Sequence, residues 1–125
     1  MKIHESGENY LEAILMLKQE KGAVRSIDVA HQLEVSKPSV SRAMGLLRDN
    51  GYITVDKEGW IHLTDSGREI AERIYERHHL LTQWLVHLGV PPEIAAEDAC
   101  RIEHDISAVT FTKMKEHIQK AREKD

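Results

Sequence analysis

The run from Ser26 to Leu63 restricts the fold more than any other part of the chain. Ser26 is an N-cap signal, and Ile27, Ala30 and Leu33 follow at helical spacing. Glu34-Val35-Ser36 leaves room only for a short turn, after which Ser36 caps a second helix over residues 37–48. Pro38 is accepted in that helix's first turn, where its missing N–H costs little. Val40, Met44 and Leu47 fall on one face of it, and Lys37, Ser39, Ser41 and Arg42 on the other. Asn50-Gly51 ends the helix. Tyr52-Ile53-Thr54-Val55 and Trp60-Ile61-His62-Leu63 then read as two strands joined by Asp56-Lys57-Glu58-Gly59, with Gly59 supplying a positive φ. Two helices across a short turn, followed by a two-stranded ribbon, make a winged helix-turn-helix.

The outer face of the second helix points to a partner. It offers hydroxyls and a guanidinium and carries no acid between Ser36 and Arg48. A helix that enters the major groove needs small donors and acceptors and no negative charge. The plain alternative is a helical hairpin with a solvated polar face; the ribbon that follows favours double-stranded DNA. The expected contacts are Ser36, Lys37, Pro38, Ser39, Ser41 and Arg42, with Lys57 at the ribbon tip on a phosphate. A net charge of −4 argues against nucleic acid only until its distribution is read. Residues 1–20 carry −2, residues 21–68 carry +1 and residues 69–125 carry −3, so the middle third alone is not acidic.

The flanks read as helices. In residues 6–20 the apolar face is Tyr10, Leu11, Ile14, Leu15 and Leu17, with Ser6 as N-cap and Gly22 as the stop; on the plain reading Glu8 and Glu12 are surface charges, and Asn9 in the first turn could equally be capping. Thr64-Asp65-Ser66-Gly67 opens a helix of roughly 24 residues, with a stripe of Ile70, Ile74, His78, Leu81, Leu85 and Leu88 that ends at Gly89. Pro92 starts another, and Ser107 caps a last one from Val109 to about Arg122, before a solvated tail of residues 120–125. The fold class is mainly α with a small β-ribbon: a winged helix-turn-helix over residues 1–66 and an all-helical domain over residues 67–125, joined by a connecting helix at 67–88. Val109, Phe111, Met114 and Ile118, with Leu85 and Leu88, are more apolar surface than one short helix can bury, so a homodimer is expected through them. No apolar run approaches the ~18 residues of a membrane span. Met1-Lys2 leads into no apolar leader, and the single cysteine suits a reducing cytoplasm.

Asp98-Ala99-Cys100-Arg101-Ile102-Glu103-His104-Asp105 carries the second kind of chemistry. Cys100, Glu103 and His104 stand at i, i+3 and i+4, which puts a thiol, a carboxylate and an imidazole on one helix face. These are the three commonest side-chain ligand types for a divalent transition metal. Three donors on one helix do not fill a coordination sphere, and the plain alternative is a surface helix with a buried Cys and a solvated Glu/His pair. Asn9, Glu12 and His78 lie on two other helices, and spacing does not decide whether they converge on the triad. No Gly-rich loop, Ser/His/Asp set or oxyanion device is present, so an enzyme is not expected.

The chain resembles the diphtheria-toxin repressor and manganese transport regulator family of metal-dependent repressors. The likeness rests on residues 8–14, on the Val35 to Ser41 turn, on Leu63-Thr64-Asp65-Ser66-Gly67-Arg68, on Arg77-His78 and, most specifically, on residues 97–104. It implies an N-terminal winged helix, a C-terminal helical dimerisation domain and metal-activated operator binding. By motif match it implies metal-site positions at Asn9, Glu12, His78, Cys100, Glu103 and His104, with an ion that ties the helices carrying them together. The length fits the two-domain branch, without the SH3-like domain of longer relatives. Two positions depart from either pattern. Manganese sensors of the family have Asp at Asn9 and Glu at Cys100; iron-type members have Met at the first and Cys at the second. Thr82 and Ala96 lack the ligands that iron-type relatives use at an ancillary site. The expected cofactor is Fe2+ or Mn2+, with thiolate chemistry at Cys100 leaning toward Fe2+. The competing expectation is a dimeric winged-helix regulator that needs no metal.

Overall fold

A computed structural model describes residues 5–123. Among them the elements run α1 (Glu5–Lys21), α2 (Ser26–Leu33), α3 (Lys37–Asp49), β1 (Ile53–Val55), β2 (Ile61–Leu63), α4 (Asp65–His87), α5 (Pro92–Asp105) and α6 (Ala108–Glu123). The chain divides into two compact units, one ending at Arg73 and the other beginning at Ile74.

In the first unit, α1, α2 and α3 pack on one another over a core that includes Leu11, Ile14, Val24, Val29, Val40 and Met44. Ser36 caps α3 as expected: its Oγ accepts from Ser39 N at 3.3 Å, and Pro38 sits in the first turn. Glu34 turns the chain between α2 and α3 with a left-handed backbone, φ 54°. β1 and β2 form an antiparallel ribbon in the register Ile53↔Leu63, Thr54↔His62 and Val55↔Ile61. Gly59 closes its turn at φ +88°. Ile61 N donates to Val24 O at 2.8 Å, which ties the ribbon to the segment that leads into α2. The Arg25 guanidinium lies 4.0 Å from the centre of the Trp60 ring and adds a cation–π contact at the same junction.

The start of α4 meets the root of the ribbon backbone to backbone. Thr64 N donates to Tyr52 O at 3.1 Å, and Thr64 Oγ1 donates to Gly51 O and accepts from Gly67 N. A Cβ on Gly67 would fall inside contact distance of that same Tyr52 carbonyl.

Several local expectations shift. Ser6 lies inside α1 rather than capping it, because the helix already runs from Glu5. Glu8 is not a surface charge; it is buried and accepts a hydrogen bond from Arg73 at 2.9 Å. The N-cap of α2 is Arg25, whose backbone N–H donates to Asp28, and Ser26 is the first helical residue. Of the expected inner face of α2, Ala30 is buried, together with Val29, while Ile27 is 45% exposed. Tyr52 and Trp60 fall just outside the strands.

In the second unit, Ile74 and Leu81 of α4, Ala95 and Ala99 of α5, and Phe111 and Ile118 of α6 are buried. Alanines on α5 allow close helix packing, and Ser107 caps α6 by accepting from Thr110 N at 3.1 Å. Gly89 breaks the chain after α4 at φ +104°. The expectation that Phe111 and Ile118 are surplus apolar surface fails, since both turn into this unit's own core. Val109 and Leu88 remain 72% and 61% exposed, and Met114 is half-buried. α6 stays helical to Glu123; the rest of the expected tail, Lys124 and Asp125, lies outside the described residues.

Candidate metal centre and nucleic-acid interface

The candidate metal centre begins with α5. Helical geometry stacks Cys100, Glu103 and His104, and one ligand atom from each lies within 4.8 Å of the others. Donors bound to one ion at roughly 2.0–2.3 Å stand up to about 4.5 Å apart, so the triad is already near a coordinating arrangement. Glu103 is fully buried, and the His104 side chain is 1% exposed. A buried carboxylate demands compensation. Part of it comes from α4, where His78 Nδ1–H donates to Glu103 Oε2 at 3.0 Å. The other oxygen, Oε1, stands 3.3 Å from His104 Nε2, an ion-pair distance without hydrogen-bond geometry. Burial alone raises the Glu103 carboxyl; its contacts with His104 and His78 outweigh this and hold it below its ordinary value.

The donor set therefore fits a divalent transition metal. A hard carboxylate, an intermediate imidazole and a soft thiol face one point, and a buried carboxylate oxygen there accepts no hydrogen bond among the described residues. His78 joins the cluster through Glu103 rather than as a member of the tight triad. Asn9 and Glu12 lie on α1, in the other unit, and both are half-buried.

The reading face is built by α3. Val40, Met44 and Leu47 are buried, which turns Ser36, Lys37, Pro38, Ser39, Ser41 and Arg42 to solvent, all exposed. Ser36 Oγ also donates to Ser39 Oγ at 2.8 Å, so these two hydroxyls are oriented before any ligand arrives. Ser26, Ile27, Lys37, Val40 and Ser41 line a cleft of about 240 Å³ between the starts of α2 and α3. Lys57 is exposed at the ribbon turn. That turn is set by Asp56, whose carboxylate accepts from Glu58 N at 3.1 Å, Trp60 N at 2.9 Å and His62 Nε2 at 3.2 Å. His62 Nδ1 in turn faces Lys18 Nζ of α1 at 3.2 Å. An ammonium only donates, so Nδ1 accepts from Lys18 and Nε2–H donates its hydrogen bond to Asp56. Neither this brace nor Ser26 and Ile27 of the cleft was marked by the sequence; alternation along β2 is the one signal that puts His62 and Trp60 on the same face.

Residues 2–60 match the family described as the iron-dependent repressor, N-terminal DNA-binding domain. Residues 64–124 match its metal-binding and dimerisation domain. The HTH-type transcriptional regulator MntR of Bacillus subtilis is 35% identical over 120 residues, covering 96% of this chain and 84% of that protein. The transcriptional regulator MntR of Escherichia coli O6:H1 is 35% identical over 113 residues, covering 90% of this chain and 73% of its own. Among solved structures, the manganese regulator SloR superposes with a TM-score of 0.80 at 26% identity, over 95% of this chain and 55% of that one. A manganese-dependent transcriptional repressor in complex with manganese gives 0.81 at 26% identity, over 90% and 52%. The chain spans about half the length of those two solved chains. No helix among the described residues is long and apolar enough to cross a membrane. With both domain families matched in order, the chain belongs to the iron-dependent repressor family, whose members are metal-dependent DNA-binding transcriptional regulators and not enzymes.

Proposed function

We propose that this protein is a cytoplasmic, homodimeric repressor that binds an operator in double-stranded DNA when Fe2+ or Mn2+ occupies Cys100, Glu103 and His104, with His78 fixing Glu103. The observation that carries the reading is the gathered triad around a buried carboxylate, in a chain whose α3 presents an acid-free polar face. A bound divalent cation supplies positive charge and fixed coordination directions. Cys100 contributes the soft donor that favours Fe2+ over Mn2+. Glu103 contributes charge in a dry site, where it acts strongly. His78 holds the carboxylate in one rotamer through Nδ1–H, the outer support that ligating carboxylates commonly have.

On the DNA side, Ser36, Lys37, Pro38, Ser39, Ser41 and Arg42 meet the major groove, and Lys57 meets a phosphate. A second copy covers Leu85, Leu88, Val109 and Met114, which sets two reading helices to half-sites about 34–36 Å apart or a multiple of that. Sedimentation as a monomer at micromolar concentration would remove the dimer.

The test of function is a titration of DNA fragments selected from a random duplex pool, with Mn2+, Fe2+, Co2+ and Zn2+ added in separate series. Wild type gains affinity with metal, and His104→Ala gains none. A His104→Ala protein that folds and keeps the full metal-dependent gain rejects the site. For Asn9 and Glu12 the test is substitution: a variant with fewer bound Mn2+ ions per chain assigns that residue as a ligand.

A further inference from the structure

α5 ends without the usual closing device. Its C-cap, Ile106, is extended (φ −103°, ψ 148°), and no left-handed residue follows it. The last carbonyls of a helix have no intrahelical partners and carry partial negative charge. Arg77 meets them from α4. Its Nη1 donates to Glu103 O at 2.9 Å and to Ile106 O at 3.0 Å. The residue is 6% exposed, and its guanidinium carbon lies 5.2 Å from the Phe111 ring of α6. Arg77 also neighbours His78 in sequence, and His78 holds the Glu103 carboxylate. Two consecutive residues of α4 thus grip one residue of α5, Arg77 by its backbone and His78 by its side chain.

We propose that Arg77 is a positioning residue for the metal centre: by bonding the Glu103 and Ile106 carbonyls it locks the last turn of α5, so that Cys100, Glu103 and His104 face one point before an ion arrives. The inference rests on the assignment of that triad as the metal centre. A guanidinium suits the task because the two N–H groups of Nη1 are held in fixed directions in its plane, one for each carbonyl, and it stays charged when buried, whereas a lysine ammonium rotates on a flexible stem. The plain capping alternative predicts loss of stability with no loss of metal affinity.

The test compares Mn2+ binding by the full chain, followed through the electron paramagnetic resonance signal of free Mn2+, with thermal unfolding in chelator. Arg77→Met raises the Mn2+ Kd about 10–100-fold, the range seen when an outer support of a metal ligand is removed. Arg77→Lys restores charge without the fixed N–H directions and gives a smaller rise. Ile118→Val, in the core of the same unit, lowers Tm and leaves Kd within about twofold. An Arg77→Met protein with lower Tm and unchanged Kd overturns the proposal, as does Ile118→Val shifting Kd as far as Arg77→Met. Should Arg77→Met fail to fold, Arg77→Lys decides: a raised Kd supports the proposal and an unchanged one overturns it. His104→Ala in the same titration separates the two layers. Its loss of Mn2+ binding upholds the triad whatever Arg77 does, and its retention removes the triad and this inference together.

Discussion

In the unit that ends at Arg73, the residues assigned to DNA are all exposed, and the side chains beneath them on α3 are apolar: Val40, Met44 and Leu47. In the unit that begins at Ile74 the arrangement is inverted. There Glu103 and Arg77 are buried, as are Ala95, Ala99, Phe111 and Ile118, and the exposed positions include the apolar Val109 and Leu88. Recognition chemistry laid on a surface leaves the fold beneath it alone. Chemistry held in an interior doubles as packing, so the same side chains serve binding and stability. Under the proposed assignments the first unit is free to change its DNA preference by substitution, and the second is not free to change its ligand set.

The largest expected effect comes from the inverted unit. Glu103→Ala abolishes the metal-dependent gain in DNA affinity and also lowers unfolding stability in chelator by about 1–3 kcal/mol, because buried polar partners are left unsatisfied. A variant that loses metal response with stability untouched would break the comparison. Next is its counterpart on the open face. Arg42→Ala costs about 1–3 kcal/mol of operator affinity if it reads a base, and its Tm stays at the wild-type value. Equal loss on every DNA sequence would instead mark Arg42 as a phosphate contact, and unchanged affinity would remove α3 from the interface.

Two smaller effects sharpen the contrast. Ser36→Ala removes the cap of α3 and costs about 1 kcal/mol of stability, measured by denaturant unfolding; Ser36 is the one reading-face residue expected to show both phenotypes. Lys57→Ala weakens binding uniformly and reduces the salt slope of log affinity by about 1, without touching metal affinity. The smallest effect is in acid. Because Glu103 is held below its ordinary value of 4.5, its contribution to stability is complete above the unfolded value and fades as pH falls through the folded one. In chelator, the unfolding curves of wild type and Glu103→Gln converge as pH drops from about 6 to about 3. Curves that diverge over that window would contradict the assignment of Glu103 as the ionised partner of His78 and His104.

The two units also differ in how much of them can be read from residues alone. The helix-turn-helix is written in local signals: Ser36 three residues before Ser39 N, Val40, Met44 and Leu47 at helical spacing, and Gly59 at a turn that needs positive φ. Local signals fail where neighbouring apolar residues offer two overlapping faces of one helix. In α2 the spacing places Ile27, Ala30 and Leu33 on one face, and packing keeps Ala30 inside but takes Val29 rather than Ile27 with it. In the second unit the triad was legible because helical spacing alone gathers it. The grip of His78 and Arg77 on Glu103 spans 25 and 26 residues and is decided by packing, which spacing does not reveal. For the same reason Phe111 and Ile118 looked like spare surface, and Glu8 like a solvated charge.

The contact between Gly67 and the Tyr52 carbonyl bears on how this chain can vary. Every other substitution named above removes or exchanges a group; at position 67 the smallest addition, one methyl, has nowhere to go, since its obstacle is main chain rather than a side chain that can swing aside. In a saturation library grown under selection for folding, this column should collapse to a single letter while its neighbours Ser66 and Arg68, both exposed, stay diverse. Such a column would report the distance between two backbones, read out by a sequencing instrument without any structure being solved.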